Sequence, residues 1–294
     1  MRVQPDAGAA DGRSGSRQRV TFWRGVRAFL RLGTCSEAVM NVVDRGLGRP
    51  LEREESATVP LAGGMMQHGY QCGMLWGATL AAGAEAFGRF GAGPLAEARA
   101  IQAAQRVVAS FRTQAKSINC FEITELDWVH ARRGQILRFI ARGGPVGCFR
   151  MAGRYGRMAF REIEASMAES QADVPEAPVS CAALVARKLG ASEMHAVMAA
   201  GCAGGMGLCG GACGALGAAV WMAGMPDGPA RPKKLSVEYP RQRALVERLL
   251  KTTDYELECS KITGRLFESV SDHAAYLREG GCARVIETLA TSGA

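Results

Sequence analysis

The sequence predicts an all-α fold built from two copies of one helical module, and three observations carry that expectation. Apolar residues recur at three- and four-residue spacing over Phe22 to Leu32, Ser36 to Arg45, Leu95 to Arg112, Ala182 to Lys188 and Arg241 to Leu250, the period of amphipathic helices. Alternating Val/Ile/Thr runs, the mark of strands, are nearly absent. The chain also aligns with itself almost end to end.

With Cys72 placed over Cys213, Gly63 to Gly73 falls over Gly204 to Gly214 without a gap, so that Met65 meets Met206, His68 meets Cys209 and, just upstream, Leu61 meets Cys202. Cys35 to Val39 matches Cys181 to Val185, and Cys120 to Thr124 matches Cys259 to Thr263. Arg142 with Cys148 matches Arg278 with Cys282. Four cysteines correspond in order, separated by 37, 48 and 28 residues in one half and 32, 46 and 23 in the other, differences that loops absorb. Local identity around each makes duplication the reading. Residues 1–18 read as disordered, 19–165 as the first module, 166–180 as a Pro-containing linker and 181–294 as the second module. Two such modules in one chain are expected to pack about a pseudo-twofold as an internal pseudo-dimer.

Composition narrows the function. With 48% hydrophobic and 22% charged residues among 294, the chain is neither disordered nor polytopic in a membrane. The net charge of +8 is carried by Arg, concentrated in Arg2 to Arg31 and in Arg132 to Arg161, where eight Arg stand with no acid between them. Such segments suit an acidic protein partner, anionic lipid or nucleic acid, but Arg richness also follows from a GC-rich genome, and specific nucleic-acid binding is not predicted. Residues 1–18 are polar and do not resemble a signal peptide, so the ten cysteines are expected to be cytoplasmic and reduced. There a Cys-rich chain holds a metal or does redox chemistry more often than it carries structural bridges.

The uncharged stretches Val59 to Ala84 (His68 aside) and Ala196 to Pro226 are long enough to span a bilayer, yet their glycine content and few Leu read better as central buried helices. On one continuous helix Cys202, Cys209 and Cys213 would share a face, with Cys209 and Cys213 one turn apart. Retention of four cysteines in both diverged copies suggests that the sulfur matters, and four thiolates gathered by a fold suit an iron–sulfur cluster or tetrahedral zinc. The spacing does not choose between them. His68, aligned with Cys209, is a candidate additional ligand together with Cys209 itself. His130, His195 and His273 share no spacing, and no Lys-Ser/Thr phosphate loop follows the glycines.

Cys72-Gly-Met-Leu-Trp-Gly77 and Cys213-Gly-Ala-Leu-Gly-Ala218, set among the other cysteines, resemble the central element of the C_GCAxxG_C_C family of redox-active proteins. The resemblance covers nearly the whole chain, twice. It departs at Met74, where Ala is usual, and at Ala218, where Gly is usual. It implies a helical redox module, akin to modules found beside haem in electron-transfer proteins, with Cys35, Cys72, Cys120 and Cys148 as ligands in the first copy and Cys181, Cys213, Cys259 and Cys282 in the second. The leading expectation is a metal–thiolate protein that binds an iron–sulfur cluster for electron transfer or cluster handling, served by a redox partner protein of acidic character. The alternatives are a thiol–disulfide oxidoreductase using Cys209 and Cys213, and a zinc-stabilised interaction protein.

Overall fold

The computed structural model describes residues 16–169, 174–225 and 239–291. The expected disordered segment lies outside these residues except for 16–18, where the Gln18 amide donates to the Arg45 carbonyl. Residues 170–173 of the expected linker lie outside as well.

The first copy comprises α1 (Phe22–Leu32), α2 (Cys35–Leu47), α3 (Glu52–Ala57), a single 3-10 turn (Val59–Leu61), α4 (Gly73–Phe90), α5 (Pro94–Gln114), α6 (Cys120–Thr124), α7 (Arg133–Ala141) and α8 (Gly144–Ala168). The second comprises α9 (Cys181–Lys188), α10 (Glu193–Ala200), α11 (Gly214–Ala223), α12 (Pro240–Thr252), α13 (Cys259–Thr263), α14 (Val270–Arg278) and α15 (Ala283–Ala290). Among the described residues there is no strand, only the isolated bridges Gln71 to Asn119 and Ala212 to Glu258, which occupy equivalent places in the two copies. The five periodic segments are all helices, extended by one to three residues at their ends where they differ. Local chemistry sets the starts: Thr21, Ser180, Ser192 and Ser269 each accept a backbone N–H from the first turn of α1, α9, α10 and α14. Helix α8 continues to Ala168, into the expected linker.

The uncharged segments differ from expectation. Neither is one helix. Helix α10 stops at Ala200 and α11 begins at Gly214; between them Gly204, Gly205, Met206, Gly207 and Leu208 all take φ between 54° and 76°. Gly63, Gly64, Met65, Met66 and Gln67 do the same ahead of α4, with φ between 50° and 78°. Five successive left-handed residues make one turn of left-handed helix, and the hydrogen bonds repeat in both copies. Met65 N–H donates to Leu61 as Met206 does to Cys202, and Gly69 to Gly63 as Gly210 to Gly204. Glycine at two and three of the five places removes the Cβ clash that forbids such a turn to most sequences. Cys202 therefore precedes the reversal, Cys209 follows it and Cys213 caps α11, so the three thiols do not share a helix face.

The two copies share one continuous hydrophobic core. Helix α4 is buried on every side over Gly73 to Ala86 and crosses α10 so closely that a Cβ on Gly83 would lie 2.5 Å from Met198 backbone. Trp221 Nε1 donates to the Glu54 carbonyl at 3.1 Å, His195 Nε2 meets Glu54 at 3.1 Å, and Arg187 pairs with the buried Glu97 at 2.7 Å. No helix among the described residues is long and apolar enough to cross a membrane.

The glycines after the central cysteines are fixed by close approach. A Cβ on Gly214 would fall on the Cys202 carbonyl, and one on Gly77 would strike the Ser36 carbonyl. Gly214→Ala or Gly77→Ala is expected to lower unfolding free energy by roughly 1–3 kcal/mol or more, because backbone has to move. Gly134→Ala, in α7 with open space around its Cα, is expected to raise it by about 0.5–1 kcal/mol. Urea denaturation of the three variants checks both signs.

Candidate functional site

Seven of the eight repeated cysteines stand at helix N-termini. Cys35, Cys120, Cys181 and Cys259 are the first residues of α2, α6, α9 and α13; Cys72, Cys213 and Cys282 are the N-caps of α4, α11 and α15. Cys148 is the exception, in the second turn of α8. Backbone pairing brings them together. Cys72 N–H donates to Ile118 and Cys120 N–H to Tyr70, each at 2.7 Å, so the chain before α4 is clamped to the chain before α6. Cys213 N–H to Leu257 at 2.8 Å and Cys259 N–H to Gly211 at 2.7 Å repeat the clamp in the second copy.

All ten cysteines are free thiols, with Cys35, Cys148, Cys209 and Cys282 half-buried and the others buried. Within the first copy the four repeated sulfurs lie close enough to bias one another's ionisation: Cys72 by Cys35 and Cys120, Cys120 by Cys35 and Cys148, and Cys148 by Cys35. Within the second, Cys213 and Cys282 feel Cys181, and Cys259 feels Cys213, Cys181, Cys282 and Cys209. Within each copy the repeated cysteines thus lie within electrostatic reach of one another. Cys202 stands beside Cys181 at the edge of the second group.

The chemistry of the two groups differs. The neighbouring Cys72 side chain first, and then the backbone N–H groups of Gly63, Cys35 and Ser36, hold the Cys35 pKa below the ordinary thiol value against burial. Cys72, beside that sulfur and itself buried, is pushed far up. Burial pushes Cys120 up to about 12, although the Trp128 indole stands on its sulfur, and Cys148 up to about 11. In the second copy the Gly204, Cys181 and Ala182 amides serve Cys181 just as their counterparts serve Cys35, but no neighbouring thiol lowers it, and burial leaves its pKa raised. Cys213 is pushed up to about 12 by burial, then by Cys181; Cys202, Cys259 and Cys282 also move up.

Cys209 and Cys213, the alternative redox pair, are set apart by Gly210 to Ala212 and no longer share a helix turn. Cys209 Sγ donates to the Gly205 carbonyl at 3.0 Å, and its thiol, raised by burial, is moderated by the Gly211 amide, Arg112 and Gln71 of the other copy. His68, its aligned partner, is held neutral by burial and has Asp127 and His130, not a cysteine, as charged neighbours. His195 meets Glu54, and His273 donates to the Val179 carbonyl at 2.9 Å.

Among the described residues no three His, Cys, Asp or Glu side chains are arranged to hold a metal ion. A mononuclear zinc would need the sulfurs drawn closer. A polynuclear cluster, ligated at its corners, spreads its thiolates wider than a single ion does. The donor set suits it in kind: four thiols per copy, amides aimed at Cys35 and Cys181, and the Trp128 Nε1–H, buried beside Cys120 without a hydrogen-bond acceptor of regular geometry.

Sequence reasoning placed Cys35 and Cys72 in one quartet but not as a distinct pair, and it missed the Gly63 and Gly204 donors and Trp128. The paired glycines at 63, 64, 204 and 205 were the available signal, since matched glycines mark backbone that needs positive φ.

Two outcomes follow from the ionisation pattern. Cys72→Ala removes the neighbour that lowers Cys35, so the Cys35 pKa should rise and its alkylation by iodoacetamide near pH 7 should slow, as read by mass spectrometry of the labelled peptide. The raised thiols make the fold alkali-sensitive: the unfolded chain loses thiol protons from about pH 9 while the folded chain keeps them to about pH 11 to 12. Stability is therefore expected to be full below pH 8 and to fall steadily above pH 9, checked by urea midpoints across that range.

A family model described as "Putative redox-active protein (C_GCAxxG_C_C)" matches residues 34–160 and again residues 177–292. No curated protein and no solved structure matches the chain. The two family matches span most of the sequence and contain every cysteine of both quartets, so the chain belongs to the C_GCAxxG_C_C family of redox-active proteins, as two tandem copies.

Proposed function

We propose that the protein is a thiol–disulfide oxidoreductase whose working pair is Cys35 and Cys72. The observation that carries this is the seat of the Cys35 sulfur at the N-terminus of α2, against the Cα of Gly73 and beside Cys72, where its pKa lies below the usual value, alone among the ten cysteines in that direction. Nucleophilic thiols are made in this way, by donors and a helix N-terminus that favour the thiolate. Cys35 is half-buried, whereas Cys72 is 4% exposed.

In this reading Cys35 thiolate attacks one sulfur of a partner disulfide, forming a mixed disulfide and expelling the other partner sulfur, which takes the proton of Cys72. Cys72 sulfur then attacks Cys35, and the second partner sulfur leaves as a thiolate. Two electrons pass to the partner. One disulfide is lost and one gained.

A second reading has one supporting observation of its own: both copies hold four thiols within electrostatic reach of one another, with amide donors on the same sulfur. An iron–sulfur cluster in such a quartet would supply one-electron transfer, held by Cys181, Cys213, Cys259 and Cys282 in the second copy and by Cys35, Cys72, Cys120 and Cys148 in the first. The N–H groups of Gly63 and Gly204 would raise its potential by stabilising negative charge on sulfur.

Anaerobic purification separates the two. The dithiol reading expects colourless protein whose free-thiol count falls by two with hydroxyethyl disulfide, a loss abolished by Cys35→Ser or Cys72→Ser and kept in Cys209→Ser. Brown protein with stoichiometric iron and sulfide would replace it by the cluster reading.

A further inference from the structure

Helix α8 carries Arg150, Arg154, Arg157 and Arg161, offsets of 4, 7 and 11 that set all four on one face over about 16 Å. All four are exposed, and among the described residues none makes an ion pair or hydrogen bond. With Thr113 and Gln114 at the end of α5, and with Gly147, Met151 and Met158, they line an open groove of about 810 Å³. Four unpaired guanidinium groups therefore face solvent along one recess of the first copy.

We infer that this groove docks an acidic segment of the disulfide-bearing partner protein; the inference rests on the dithiol reading above. Charge complementarity selects carboxylates, which guanidinium groups bind in a bidentate fashion. The shape selects a protruding segment over a flat bilayer, because the arginines line a recess and the exposed Trp23 and Leu30, which could enter lipid, are not among its walls. No aromatic ring lines the groove, so it lacks the stacking platform of a single-strand nucleic-acid site. Small, charge-steered contacts are also the usual form of transient redox encounters.

The test uses the full chain and two synthetic peptides that contain the same internal disulfide, one flanked by four Glu and the other by four Lys. At low salt the Glu peptide should be reduced about tenfold faster, and the advantage should shrink several-fold in 1 M NaCl. The combined variant Arg150→Gln, Arg154→Gln, Arg157→Gln and Arg161→Gln should bring the two rates near parity, while Arg284→Gln, on α15 outside the groove, should keep the wild-type preference. Equal rates for the two peptides on wild type, or a preference that survives in the combined variant, would overturn the inference. If hydroxyethyl disulfide leaves every thiol of wild type free, the dithiol reading has failed. Docking is then still decided by anisotropy of a labelled Glu peptide, which must bind wild type salt-sensitively and lose the combined variant. Binding to anionic vesicles or duplex DNA through these arginines, with none to the Glu peptide, also overturns it.

Discussion

The left-handed turn ahead of α4, and its repeat ahead of α11, is the constraint on which the remaining structure depends. Met65, Met66 and Gln67 sit in a conformation that costs a non-glycine residue about 1–2 kcal/mol each. The cost is offset by burial of Met65 and Met206, both fully buried, and by a hydrogen-bond set that leaves few of the turn's amides unpaired. The reversal does two things at once. It returns the chain so that Cys72 and Cys213 can be clamped to Cys120 and Cys259, and it turns the Gly63 and Gly204 amides toward Cys35 and Cys181. A right-handed helix through the same residues would carry the chain past the cluster, with its amides spent on its own carbonyls.

That turn also marks where sequence reasoning stops. Helices with an apolar stripe and a capping residue, such as Phe22 to Leu32 behind Thr21, are legible because period and cap agree. The correspondence of four cysteines between the copies was legible because duplication samples the same positions twice, whereas the backbone clamps that pair Cys72 with Cys120 and Cys213 with Cys259 leave no mark in the spacing. The segments Val59 to Ala84 and Ala196 to Pro226 were misjudged because low charge and small residues describe a buried helix and a buried reversal equally well. Periodicity has no purchase where most side chains are hydrogen or methyl. Cys35 and Cys72 were grouped only as members of a quartet; their closeness as a pair depends on the Cα of Gly73, where a Cβ would lie 2.6 Å from Cys35 Sγ.

The copies have parted in the cluster while keeping its frame. Backbone donors on Cys35 and Cys181 are equivalent residue by residue, yet only Cys35 has a lowered pKa. The second copy carries Cys202 and Cys209 where the first carries Leu61 and His68, so its sulfurs are more numerous and, being raised by burial, less nucleophilic. In the first copy one thiol is lowered among raised neighbours; in the second every thiol is raised by burial.

Contacts across the junction join the two copies through unlike residues. In a symmetric dimer, residues near the axis meet their own counterparts. Here Trp76 packs onto Gly217, the position aligned with it, and Gln71 Oε1 accepts from the N–H of Ala212, the position aligned with Gln71. The Gln71 amide also donates to Gly205 at 2.9 Å, so one side chain satisfies two backbone groups of the second copy's turn. Two identical modules would bring indole against indole and carboxamide against carboxamide in the same space. Only with large and small, or polar and absent, divided between the halves does the junction close, and a fused gene allows that division where two copies of one gene product do not.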